Sequence, residues 1–150
     1  MSPEFRTGKP ILLAEDFEAD AVAVQRLLKK VGVANPVIVV PDGGEAIAYM
    51  NNDGPFRDRH KFPLPDLLLL DLKLPTKNGF EVLEWCRTQP HLKELFIVVL
   101  SGHYELRDVN QAYLLGAHTF LAKPASQKDI LNAIKDHLDC PSASVAVQAN

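Results

Sequence analysis

"PDLLLLDLKLPTKNG", residues 65–79, decides the fold. Leu67 to Leu70 form an unbroken apolar run of strand length. With no polar residue interleaved, the run reads as a strand covered on both faces. It stops on Asp71. A carboxylate at the end of a buried strand is costly unless a counter-charge or hydrogen bonds meet it. Asp71 therefore asks for partners elsewhere in the chain.

The segments around it alternate in kind. "PILLAE" (10–15), "PVIVV" (36–40), "FIVVL" (96–100) and "AHTFLA" (117–122) read as further short strands. Between them lie helical patterns. Val24, Leu27, Leu28 and Val31 share one helix face, and Gly32 stops that helix. "GGEAIAYM" (43–50) predicts a short helix. Asn78 caps a helix carrying Phe80, Val82, Leu83 and Cys86. Residues 105–115 predict a helix closed by Gly116. Ser126 with Asp129 forms a capping box for a last helix bearing Ile130, Ile134 and Leu138. Five strands alternating with five helices argue for an α/β domain with a parallel sheet covered on both faces. "NNDGPFRDRHKFPLP" (51–65) is charged and Pro-containing, hence an expected surface loop. Residues 1–8, with the vector-like "SPEF", read as a tail. Residues 9–139 read as the domain and 140–150 as a flexible tail.

Bulk properties narrow the function. The chain has 150 residues, net charge -3, 47% apolar and 23% charged residues. No broad basic surface advertises nucleic acid or anionic lipid. No apolar run approaches the roughly 18 residues of a membrane span. Cys86 and Cys140 form no metal or redox motif, which fits a reducing, cytoplasmic setting. His60, His91, His103, His118 and His137 are dispersed and read as surface residues rather than ligands. Trp85 is expected to pack on or beside the third helix. A dehydrogenase would want a glycine-rich turn after the first strand, and "AEDFEAD" has none. A P-loop is absent.

In a parallel sheet the C-terminal strand ends share one edge, and ligands bind there. The first strand ends on Glu15-Asp16, the third on Asp71, the fourth on Ser101, and the fifth is followed by Lys123-Pro124. Three clustered carboxylates repel unless a cation intervenes, and an all-oxygen set suits Mg²⁺. A carboxylate beside such a cation can act as a nucleophile toward phosphorus. The metal and an ammonium would neutralise the phosphoryl charge, and a hydroxyl would hydrogen-bond it.

"ILLAED", "LLLLDLKLPTKNG", "VVLSG" and "GAHTFLAKP" together resemble, in order and spacing, the receiver domain of two-component response regulators over residues 10–138. The resemblance implies a flavodoxin-like fold with strand order 2-1-3-4-5. It implies Asp71 as phospho-acceptor, Asp16 as a direct Mg²⁺ ligand, Glu15 acting mostly through metal-bound water, and the Lys73 backbone carbonyl as a further ligand. Ser101 would bind the phosphoryl group and move, Lys123 would pair with it, and Phe120 would be the aromatic switch position. Pro75 and Gly79 would shape the loop after the acceptor, with the Lys123–Pro124 bond cis. Glu15 stands where Asp is common, and Phe120 where tyrosine is usual. The side chains of Lys73 and His103 occupy positions that tune phosphate lifetime.

The implied donor is the phosphohistidine of a sensor histidine kinase or phosphotransfer protein, with wording closest to regulators paired with phytochrome-type kinases. The output is a surface change near the last helices that reaches an unidentified downstream protein. No output domain, direct nucleic-acid contact or membrane contact is expected. Apart from its own phosphoryl transfer and dephosphorylation, no enzymatic turnover is expected. The homodimer question stays open, the last helix and strand being the family's usual dimer surface. The competing reading is a receiver-fold binding module that works without phosphorylation.

Overall fold

The computed structural model describes residues 9–135; the two expected tails, Leu138 and His137 lie outside them. Five strands, β1 (Ile11–Ala14), β2 (Val37–Val40), β3 (Leu67–Leu70), β4 (Phe96–Ser101) and β5 (Thr119–Ala122), make one parallel sheet in the order β2-β1-β3-β4-β5. Five helices alternate with them: α1 (Glu18–Lys30), α2 (Gly43–Met50), α3 (Gly79–Arg87), α4 (Leu106–Leu114) and α5 (Gln127–Ile134). The fold class expected from the sequence is the one observed.

Period-two alternation explains why the central strands show no polar residue. Leu68 and Leu70 point with Leu12, Ala14 and Val99 into a core closed by α2, α3 and α4. Leu67 and Leu69 point with Ile11, Leu13, Val98 and Leu100 into a second core closed by α1 and α5. Both faces are covered, so every position of β1 and β3 is apolar. Helix ends follow local chemistry. Asn78 Oδ1 accepts from Glu81 N at 3.0 Å, and Ser126 Oγ accepts from Asp129 N at 3.0 Å. Gly32 and Gly116 take positive φ just past α1 and α4, where other residues would be strained. A cap the sequence reading missed is Asp108, whose Oδ2 accepts from Glu105 N at 2.8 Å ahead of α4.

The 51–65 segment is a surface loop, as expected, with more internal structure than its composition signals. Its charged residues other than Arg59 are exposed, and the partly buried Phe56, Phe62 and Leu64 pack against the core. The Tyr49 ring is fully buried, with the rings of Phe56 and Phe62 at 5.1 and 6.0 Å, and its hydroxyl donates to Pro63 O at 2.8 Å. The Arg59 guanidinium donates to the carbonyls of Tyr49, Met50 and Phe62, so a cation caps the C-terminal end of α2. The loop is a small satellite core held by one arginine.

At the β5 edge, Tyr113 of α4 accepts from Phe120 N at 3.1 Å. Phe120 is half-buried against the α4-side core, and Tyr104 meets it edge-on at 5.0 Å. Trp85, within α3, packs at the margin of the same core.

His118 is exposed, as expected, yet its ring is engaged on one side. Its Nδ1 accepts from Ile97 N at 3.0 Å and its ring stacks on Phe96 at 4.6 Å. Burial lowers its pKa below the ordinary 6.5. A protonated Nδ1 has no lone pair for Ile97, so the fold selects the neutral ring. Between the folded and unfolded pKa values the unfolded chain binds the extra proton, and stability falls as pH drops through that interval. The urea midpoint is therefore expected to fall from about pH 7.5 to about pH 5.5. His118→Asn, whose amide oxygen accepts without titrating, should lose less over the same interval. An equal loss in both proteins would exclude His118 as the cause.

Candidate functional site

Strand register builds the site. Ala14 pairs with Leu70 across β1 and β3, so the residues that follow, Glu15 and Asp71, leave the sheet side by side. Asp71 N donates to Ala14 O at 3.1 Å and Glu15 N to Val40 O at 3.0 Å, which fixes both backbones. Ser101 ends β4 opposite Ala122 of β5, and Lys123 N donates to Ser101 O at 3.0 Å. Glu15, Asp16, Asp71, Lys73, Ser101, Lys123 and Pro124 line one groove of about 780 Å³ between α1 and the β5–α5 turn. The Lys123–Pro124 bond is cis.

The Lys123 ammonium is the centre of this arrangement. It donates to Glu15 Oε1, to Asp20 Oδ2 at 3.0 Å and to Asp71 Oδ2 at 3.3 Å. Burial alone would lower its pKa, but the hydrogen bonds to Glu15 and Asp20, with the charges of Asp71 and Glu15, hold it above the ordinary lysine value. Glu15 moves up as well. Its burial, helped by the Asp71 charge, outweighs the bonds from Lys123 and from Phe17 N at 3.2 Å. Asp71 is buried, and its Oδ1 accepts from Lys73 N at 3.4 Å.

One carboxylate oxygen each from Glu15, Asp16 and Asp71 lie within 4.8 Å of one another. Buried Glu15 and Asp71 with exposed Asp16 give an all-oxygen set open to water on one side. Hard divalent cations of the Mg²⁺ and Mn²⁺ type fit such donors. One ammonium does not balance this many carboxylates, so a cation would relieve their repulsion.

The loop after Asp71 is tied down from the far side. Thr76 takes φ 61°, a left-handed conformation unusual for a β-branched residue. Its hydroxyl accepts from Gly44 N at 3.0 Å and donates to Asp42 Oδ1 at 3.1 Å, while Gly43 N donates to Pro75 O at 3.3 Å. Pro75 therefore belongs to this anchorage on α2 rather than to the groove. Phe120 also lies outside the groove, among the residues packed under α4.

Asp20 is the site residue the sequence reading missed. It stands one helical turn after Asp16, so its position in the first turn of α1 was legible; its reach to Lys123 was not. Ser101 Oγ donates to His103 O at 3.2 Å.

Residues 11–135 match the family model of the response regulator receiver domain. Response regulator Rcp1 of Synechocystis sp. is 36% identical over 135 residues, 90% of each chain. Among solved structures, the phosphorylated cyanobacterial phytochrome response regulator RcpA has a TM-score of 0.73 at 35% identity, covering 87% of this chain and 91% of that one. The Mn²⁺-bound form of Rcp1 has a TM-score of 0.71 at 38% identity, covering 81% and 86%.

Gly79 begins α3 directly beneath the acceptor loop. A Cβ there would lie 2.5 Å from Asp71 O and 2.7 Å from Leu72 Cα. Backbone must shift to admit it. Gly79→Ala should destabilise the protein by about 1–3 kcal/mol, the usual cost of overpacking, as read by urea denaturation. An unchanged midpoint would show that the loop yields freely there.

Proposed function

The chain belongs to the response regulator receiver family, and on that premise we propose that it is a phosphorylation-controlled signalling module with Asp71 as the acceptor. The observation that carries this reading is the Lys123 ammonium held at 3.3 Å from Asp71 Oδ2 beside the Glu15–Asp16 pair. An Asp71 oxygen attacks the phosphorus of a phosphohistidine. A P–O bond forms, the P–N bond breaks, and its electron pair returns to the donor imidazole. Asp16, Asp71 and the Lys73 carbonyl would hold Mg²⁺, with Glu15 acting through its water; when bound, the ion neutralises charge on the transferring phosphoryl group.

Each residue then has a task. Lys123 donates to a phosphoryl oxygen. The Lys73 N–H keeps the second Asp71 oxygen oriented. Ser101 turns its hydroxyl from the His103 carbonyl to the phosphoryl group, which releases the 102–105 segment before α4. Tyr104 in that segment lies against Phe120, so the change reaches α4 and β5. A downstream protein would read that face. On this reading the site acts on its own aspartate.

The likeness to cyanobacterial phytochrome regulators supports a phytochrome-type sensor kinase as donor. Among the described residues no helix is long and apolar enough to cross a membrane. The Cys86 thiol is free, and burial pushes its pKa up to about 12. Such an inert thiol fits a reducing cytoplasm.

With acetyl phosphate and Mg²⁺, the intact protein should gain the mass of one phosphoryl group, and chelation with EDTA should abolish the gain. Asp71→Asn should gain none. Unmodified wild-type protein, or equal labelling of Asp71→Asn, would reject the reading in favour of a binding module that works without phosphate.

A further inference from the structure

We infer that Asp20 is a positioning residue for Lys123 that restrains phosphoryl acceptance, an inference that rests on the receiver reading above. An ammonium has three N–H donors. The three donors of Lys123 meet three carboxylates: Glu15, Asp20 and Asp71. The group is saturated. To donate to an incoming phosphoryl oxygen, Lys123 must give up one of these partners.

Exposure decides which one yields. The side chains of Glu15 and Asp71 are 2% and 10% exposed, and that of Asp20 is 38%. A buried carboxylate that loses its donor has no water to replace it, whereas Asp20 is solvated as it lets go. Its place in the first turn of α1 also gives a released Asp20 charge a favourable helix-dipole setting. Asp20 is thus the exchangeable solvated partner, and its bond at 3.0 Å competes with phosphate for a Lys123 donor. Its charge at the groove wall further repels an anionic donor. Both effects slow acceptance. The same charge attracts a divalent cation, so removing it should move metal binding the other way.

This opposition is the test. In the 150-residue chain at saturating Mg²⁺, Asp20→Ala should raise the initial rate of phosphorylation by acetyl phosphate about threefold or more, with the gain shrinking in high salt. Calorimetry without phosphodonor should show weaker Mg²⁺ binding, by about twofold. Asp20→Glu, which keeps the charge, should stay near the wild-type rate. Asp20→Asn, which keeps the shape, should follow Asp20→Ala and decides the matter if the alanine variant folds poorly. Rates equal to or below wild type in both neutral variants overturn the inference. A wild-type protein that accepts no phosphoryl group overturns instead the receiver reading on which it stands.

Discussion

One largely buried cation holds the functional edge of this molecule together. Lys123 arrives from the end of β5, Glu15 from β1, Asp71 from β3 and Asp20 from α1, and the three carboxylates meet at the ammonium. Removing one partner of such a cluster leaves a desolvated charge behind, which is far more costly than the net worth of the pair. The buried members of the edge, Lys123, Glu15 and Asp71, are therefore stable only as a set, with the solvated Asp20 exchangeable beside them. This explains how a carboxylate can close an otherwise wholly apolar strand.

The sheet supplies the geometry for that set. Parallel register brings Glu15 beside Asp71 and Lys123 beside Ser101, and two dry cores hold the strands from either face. α2 acts at a distance. Through Asp42, Gly43 and Gly44 it grips Pro75 and Thr76, so the loop that bears Lys73 is fixed at both ends. A β-branched residue persists in the left-handed region there because its hydroxyl has two partners, and such local strain tends to gather beside functional groups.

Legibility in the sequence followed the range of each interaction. The strands, the alternation with helices and the Asn78 and Ser126 caps rest on neighbours within a few residues, and all were readable. The convergence of Glu15, Asp16, Asp71, Ser101 and Lys123 was readable too, because a parallel sheet sends every strand's C-terminal end to one edge. Asp20 was not, since nothing in "EDFEAD" says that this side chain meets a lysine 103 positions away. Nor did the five histidines differ by sequence, although among the described residues His118 accepts from a β4 amide. The 51–65 segment was half legible. Its charges and prolines rightly signal a loop, but its three partly buried apolar residues have no period to betray their packing.

The bond between the Tyr113 hydroxyl and Phe120 N has a consequence for assembly. β5 is the last strand of the sheet, and a border strand with free donors is a template for any extended chain. Here a side chain from the neighbouring helix claims one of those donors. Tyr113 thus serves as a fragment of a missing sixth strand. Withdrawing α4 would do more than reshape the surface: it would unmask a backbone donor at the rim of the sheet and make that border adhesive.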